Sequence, residues 1–218
     1  MERVCDDRTP AYAWSGGKDS LVLEHLCHRI GITKGVFVIT ELEFPAFQHW
    51  AHKAKPKGVS VVKRPFDLAW LARNPSMLFP RNHKIARRWF RLVQHTGQRS
   101  YFRSEGLGVL LLGRRRVDGN YIPTSNGMYA SEGVNRYAPL RDWNHAEVFA
   151  YLQSWRVELP PIYGWPRGFR VGTGPWPARQ WCATVRDGWK EVFAIDPGIV
   201  RDAAKHLDSA GTFLNVCS

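Results

Sequence analysis

The chain has 218 residues but only four cysteines, Cys5, Cys27, Cys182 and Cys217, and none stands in a Cys-x-x-Cys or Cys-Cys pair. Sparse, unpaired thiols do not build a disulfide scaffold and suit a reducing compartment, so a cytoplasmic protein is expected. They supply no paired ligands for zinc or for an iron–sulfur cluster, and no cluster is expected. No run of about 18 apolar residues exists, so no membrane span is expected. The N-terminal stretch Met1–Pro10 is charged and lacks the apolar core of a signal peptide. Internal repeats and low-complexity tracts are absent. Acidic residues are scarce too: 19 Asp and Glu face 31 Lys and Arg, a formal net charge of +12. Such an imbalance calls for an anionic partner, either nucleic acid or a phosphorylated small molecule.

Hydrophobic residues make up 44% of the chain, enough for a folded core. Their spacing alternates between two patterns. Ala11–Trp14, Gly35–Ile39, Val59–Val62 and Gly108–Leu112 are short apolar runs of the kind buried in a parallel sheet. Between them, Leu21, Leu23, Leu26, Cys27 and Ile30 recur at near-helical spacing up to Gly31, and Pro45 suits the first turn of another helix. The segment 81–103 also reads as helical, with a break expected at Gly97. Asn144, with Glu147 three residues on, caps a helix reaching about Trp155. A Pro/Gly-rich loop is expected over Leu159–Pro177 and a last helix over Asp196–Ser209. The fold class that follows is α/β: an open, mostly parallel twisted sheet with helices on both faces. Residues 1–158 would form the α/β domain and 159–218 a Pro/Gly-rich loop and helical extension packed on it.

The first strand runs into Ser15-Gly16-Gly17-Lys18-Asp19-Ser20, and a helix opens there. Glycines let backbone amides approach an anion closely, and the helix N-terminus adds unpaired amides and a favourable dipole. Ser15 and Ser20 bring hydroxyls and Lys18 a cation. The Gly-x-x-x-x-Gly-Lys-Ser/Thr pattern of a Walker loop is absent.

This string resembles the PP-loop of the ATP pyrophosphatases. The rest of the chain resembles their phosphoadenosine phosphosulfate (PAPS) reductase-like branch, within the adenine nucleotide alpha hydrolase-like superfamily. Thr40-Glu-Leu-Glu-Phe-Pro45 is similar to that branch's Thr-Gly-x-x-Phe-Pro stretch, and Gly113-Arg-Arg-Arg-Val-Asp118 to its Gly-x-Arg-Arg loop. Arg136-Tyr-Ala-Pro-Leu-Arg-Asp-Trp143, with Glu147, Val148, Tyr151 and Leu152, is similar to its Pro-Leu-x-x-Trp segment. The resemblance spans about residues 8–177. It implies an adenine nucleotide, ATP with Mg²⁺ in most members, held at the C-terminal edge of the sheet. Ser15, Gly16, Gly17, Lys18 and Ser20 would hold its phosphates, with Thr40 and Gly113 lining the site. Lys18, Asp19, Arg115 and Arg116 would act on the phosphate chain, and Asp19 would meet magnesium through the phosphates.

Two departures bear on the reaction. The reductases' Glu-Cys-Gly-x-His tail is replaced by Leu214-Asn-Val-Cys217-Ser218, and Arg170–Trp176 lacks the cysteines that hold a cluster in many relatives. Cys182 beside Trp181 is the alternative thiol, and His49 and His52 read as surface histidines.

Over 81–103 there are seven Lys and Arg and no acid, with Lys84, Arg87, Arg88 and Arg91 on one helical face. Ile85, Trp89 and Leu92 would face the core. The later segment interleaves Trp165, Arg167, Phe169, Arg170, Trp176, Arg179 and Trp181, a mixture suited either to stacking on bases or to a core. Three functions follow. The first is ATP-dependent adenylation or thiolation of a nucleic-acid substrate, tRNA or DNA. The second is an enzyme handling a sulfonucleotide such as PAPS. The third is a non-catalytic nucleotide- and nucleic-acid-binding module. A second copy of the chain or a sulfur-donor protein would be a further partner.

Overall fold

The computed structural model describes residues 1, 5, 8–119, 121–124 and 126–217. The chain divides into two compact units, Met1–Val38 with Lys53–Val62 and Thr96–Pro160, and Ile39–His52 with Lys63–His95 and Pro161–Ser218.

The first unit is built on a six-stranded sheet. Its strands are β1 (Pro10–Trp14), β2 (Gly35–Thr40), β3 (Val59–Arg64), β4 (Val109–Leu111), β5 (Met128–Ser131) and β6 (Val134–Tyr137), ordered β3-β2-β1-β4-β6-β5. β1 lies parallel to β2, with Tyr12 opposite Gly35, and parallel to β4, with Tyr12 opposite Leu111. Leu111 in turn faces Tyr137 in a parallel β4–β6 pair. The central strands are apolar on both faces, and Ala11, Tyr12, Val36, Val109, Leu110 and Leu111 are at most 1% exposed. Two-sided burial explains why these strands read as continuous apolar runs. β3, at one edge, is mostly open to solvent instead, with Val59 buried and Val61 exposed.

β5 and β6 form an antiparallel hairpin that the sequence reading did not place. Its two turn residues, Glu132 (φ 54) and Gly133 (φ 73), both have left-handed backbone. That is the type I′ geometry matching the twist of a two-residue hairpin. The signal was the Gly133 position; the Glu before it is not one of the usual I′ residues and hid the turn.

Helix α1 (Lys18–Arg29) follows β1, and Gly31 (φ 78) lies just past its end. It meets α6 (His145–Ser154), where His25 Nδ1 lies 2.8 Å from the Tyr151 hydroxyl and Arg29 stands over the Trp155 ring. The Asn144–Glu147 capping box forms in full, with both reciprocal bonds present. Such a cap stabilises a helix by about 1 kcal/mol.

The expected helix over 81–103 is three pieces: α4 (His83–Phe90), a π-helical turn (Arg91–His95) and α5 (Thr96–Ser104). The break lies before Gly97, which is not a breaker. A Cβ on Gly97 would sit 2.5 Å from Val38 Cγ1, so glycine permits α5 to press on β2.

In the second unit, α2 (Pro45–Ala54) starts at the expected proline, and α3 (Leu68–Arg73), which the sequence reading missed, is capped by Asp67, whose Oδ1 accepts from the Trp70 amide at 2.6 Å. Phe66, Trp70 and Trp89 pack edge to face, and the Trp89 indole donates to the Met77 carbonyl at 2.7 Å. Leu159–Pro177 is not one irregular loop. It holds short helical turns at Pro161–Gly164 and Trp176–Ala178, with α7 (Gly168–Val171) between. The helix expected over Asp196–Ser209 is α9 (Pro197–Ala204) and the start of α10 (Asp208–Cys217), and α8 (Val185–Ile195) before them was not expected. Thr184 and Asp187 box the start of α8, and Asp196 caps α9 with Pro197 in its first turn.

No described helix is long and apolar enough to cross a membrane.

Candidate nucleotide-binding site

β1 delivers Ser15 to the edge of the sheet, and Gly16 turns the chain with φ 69. Gly17 occupies the N-cap of α1 and offers no side-chain cap to the first turn. The two serines brace the loop instead. The Ser15 amide donates to Ser20 Oγ at 3.1 Å, the Ser20 hydroxyl donates to the Gly17 carbonyl at 2.8 Å, and the Gly17 amide donates to Ser15 Oγ at 3.3 Å. Ser15 and Ser20 are therefore structural to the loop as well as available at its mouth. The result is a preformed turn at a helix N-terminus, where dipole and amides favour an anion.

Lys18 is buried and its ammonium donates to Asp19 Oδ2 at 2.7 Å. The other oxygen of Asp19 pairs with Arg115 Nε at 2.9 Å. Arg115 has no solvent exposure, and its Nη2 also donates to Asp118 Oδ1 at 2.9 Å and lies 3.2 Å from His145 Nδ1. One arginine thus ties the loop after β4 to the loop after β1 and to the start of α6. Gly113 makes that approach possible. A Cβ there would stand 2.9 Å from the Asp19 carbonyl carbon and oxygen, both backbone atoms that cannot swing away.

The structure separates the two arginines that the sequence paired. Arg115 joins Lys18 and Asp19. Arg116 bonds Asp142, the Ile122 carbonyl at 3.3 Å and the Pro123 carbonyl at 2.7 Å, which secures the turn beyond the loop. Asp118 and His145 are members of this cluster that sequence reasoning gave no role. His145 lies 30 positions from Arg115, at the first position of α6, and only the capping signal beside it marks the place.

The residues do not fit a magnesium site held by protein. Both Asp19 oxygens already face cations, and among the described residues no three acidic, histidine or cysteine side chains gather. His49 and His52 are exposed.

Thr40 ends β2 within the second unit. It is buried, and its hydroxyl accepts from the Leu42 amide at 3.2 Å. Thr40 also bonds the carboxyl of Glu43, whose pKa burial drives up to about 8 despite those bonds. Glu43 carried no role in the sequence reading; an acid inside an otherwise apolar Leu42–Phe44 stretch was the available signal. Cys182 is buried at 3.3 Å from Arg167 Nη2, and desolvation raises its thiol pKa against the pull of that guanidinium. A thiol so placed is not an activated nucleophile. The side chain of Cys217 lies outside the described residues.

Comparison with known proteins completes this description. The family model for the phosphoadenosine phosphosulfate reductase domain matches residues 9–173, about three quarters of the chain. The chain belongs to the PAPS reductase domain family. Among solved structures, this PAPS reductase family member is similar to the phosphoadenylyl-sulfate (PAPS) reductase from Candida auris in its phosphate complex. The TM-score is 0.56 and the identity 17%, covering 77% of this chain and 81% of that one. At that identity the likeness is one of fold. No curated protein matches the chain. Family membership makes this a nucleotide-handling fold, and the matched span includes the Ser15–Ser20 loop, the Arg115 cluster and the capped α6.

Proposed function

We propose that the chain binds an adenosine sulfonucleotide of the PAPS type, with the phosphosulfate end seated at Ser15–Ser20. The observation that carries this reading is the joining of the glycine turn, Lys18 and Asp19 to Arg115 through the close approach of Gly113. Sulfate and phosphate are both tetrahedral oxyanions, and amides at a helix N-terminus accept either. Lys18 and Arg115 are the cations nearest the turn, each held in place by a carboxylate, so neither needs reordering when the anion arrives. Membership of the family and the phosphate-bound relative support the same ligand class. The test is calorimetric titration with PAPS, adenosine 3′,5′-bisphosphate, ATP and AMP. PAPS and adenosine 3′,5′-bisphosphate should bind more tightly than AMP, and Gly17→Val, Lys18→Ala and Gly113→Ala should each weaken them at least tenfold, about 1.4 kcal/mol. Affinities unchanged in all three variants would remove the loop from nucleotide binding.

A second reading is ATP-dependent adenylation or thiolation of a nucleic acid. It is favoured by Lys84, Arg87, Arg88 and Arg91, all exposed on α4 and its C-cap. Pyrophosphate release from ATP that rises on adding tRNA or single-stranded DNA, with no binding of PAPS, would put this reading first.

A further inference from the structure

Two stretches about ninety residues apart in sequence form one surface of the second unit. The first is α4, whose Lys84, Arg87 and Arg88 are exposed and take no part in any ion pair among the described residues. Arg91, exposed too, continues the row at the C-cap. From Lys84 to Arg91 the row runs about 10 Å along the helix axis at 1.5 Å per residue. That matches about three nucleotides at the 3.4 Å rise of one strand. The inner side of the helix is anchored by buried Trp89, so the outward direction of the charges is fixed by packing.

The second stretch is Phe169–Trp181. The structure divides its aromatic and basic residues. Trp176 is buried against Phe79 and Trp189, and buried Arg179 is bonded to Glu191, so these belong to the core. Phe169 and Trp181 remain exposed, at 58% and 50%. Trp181 stands at φ 68, a left-handed conformation unusual for a bulky residue. Its ring meets His83, at the N-terminus of α4, with centroids 5.3 Å apart, and the Arg170 guanidinium lies 5.4 Å from its centroid. Trp181 as a residue is half exposed with both neighbours in place.

We infer that this surface binds single-stranded nucleic acid. The α4 row takes the phosphates, and Trp181, with Arg170 beside it, receives a base. Charge complementarity selects a polyanion. The exposed ring selects one whose bases are unstacked, because duplex bases do not reach a protein ring. This goes beyond the second reading above by joining Trp181 and Arg170 to the α4 row as the place that receives a base, and it stands whether or not any nucleotide is bound or cleaved.

The test uses the full chain without nucleotide, so its outcome is separate from that of the PP-loop. Binding of a labelled 20-nucleotide oligo-dT is followed by fluorescence anisotropy across a salt series. An abasic 20-mer of equal charge, a 20-bp duplex and heparin serve as competitors. The dT strand should compete at least tenfold better than the other three. Arg87→Glu with Arg88→Glu should weaken binding at least tenfold and flatten the log–log salt slope, by about 0.7 for each phosphate no longer neutralised. Trp181→Ala should weaken the dT strand about tenfold and leave the abasic strand unchanged, while Trp181→Phe restores most of the affinity. Melting curves matched to the parent verify the fold of each variant. Equal competition by heparin, the duplex or the abasic strand would overturn the inference in favour of a general polyanion face. Parent-like binding by either the arginine pair or Trp181→Ala would overturn it as well.

Discussion

Arg115 Nε lies 2.9 Å from Asp19 Oδ1, joining a fully buried guanidinium to a carboxylate in the first turn of α1. The two belong to loops after adjacent strands, β4 and β1, which pair in register from Pro10 opposite Val109. The sheet therefore sets the distance between them, and the same guanidinium reaches Asp118 and His145.

Removing the buried Arg115 leaves half-buried Asp19 and exposed Asp118 short of a shared partner. Arg115→Ala should lower the unfolding free energy by about 1–2 kcal/mol, less than the loss of a fully buried pair, because Asp19 keeps Lys18 and Asp118 reaches solvent. Arg115→Lys should recover only part of it, since one ammonium cannot reproduce the planar fork. Urea unfolding measures both, and a midpoint for Arg115→Ala equal to that of the parent would show that the cluster contributes nothing to the fold.

Glu24 accepts from the Trp14 indole at 2.5 Å, and burial lifts its pKa from 4.5 to about 7. Between these two values the folded chain holds a proton that the unfolded chain releases. Its contribution to stability therefore falls as pH rises through about 4.5 to 7 and is fully lost above that window. Glu43, raised to about 8, acts in the same direction over a slightly wider window. Glu24→Gln should match the parent near pH 5 and melt several degrees higher at pH 8.5, each kcal/mol being worth about 2–4 °C at this chain length. Parallel melting curves for the two proteins from pH 5 to 8.5 would refute the assignment.

A glycine pair separates packing from propensity in the C-terminal helices. At Gly188 a Cβ would lie 2.3 Å from Phe79 Cδ2, whereas at Gly211 nothing lies within 4 Å. Gly188→Ala should cost about 1–3 kcal/mol through overpacking against a ring wedged between Trp176 and Trp189. Gly211→Ala, inside α10, should stabilise by up to about 1 kcal/mol. Both are read from urea midpoints, and a reversal of the order would contradict the packing described.

What could be read from the sequence was what depends on near neighbours. The β1-loop-α1 unit, the Asn144 cap and the central strands each carry their signal within a few residues. The Ser15–Ser20 loop was legible for the same reason. What escaped depends on partners far along the chain. Nothing near Arg115 distinguishes it from Arg116, and only the fold brings His145 to one and Asp142 to the other. Trp176 and Trp181 look alike in sequence, yet one is core and the other exposed. The expected helix over Asp196–Ser209 began correctly at the Asp196 cap but ran across the break after Ala204, where α10 restarts at Asp208, and α8 before it went unread. Gly97 misled in the opposite sense, since its missing side chain serves contact with Val38 and leaves the helix intact around it.

The pairing of charges around the glycine turn has a consequence for ionic strength. Lys18 and Arg115 are matched by Asp19 and Asp118, so these four groups sum to zero before any ligand arrives. Attraction there must come mainly from fixed backbone dipoles, which mobile salt ions screen poorly at contact range. Lys84, Arg87 and Arg88 of α4 take part in no ion pair among the described residues, and every phosphate they take would release counterions. Buffer salt would then act as a selector: dilute conditions would favour occupancy of both surfaces, and concentrated salt would strip the basic helix while the loop kept its small anion.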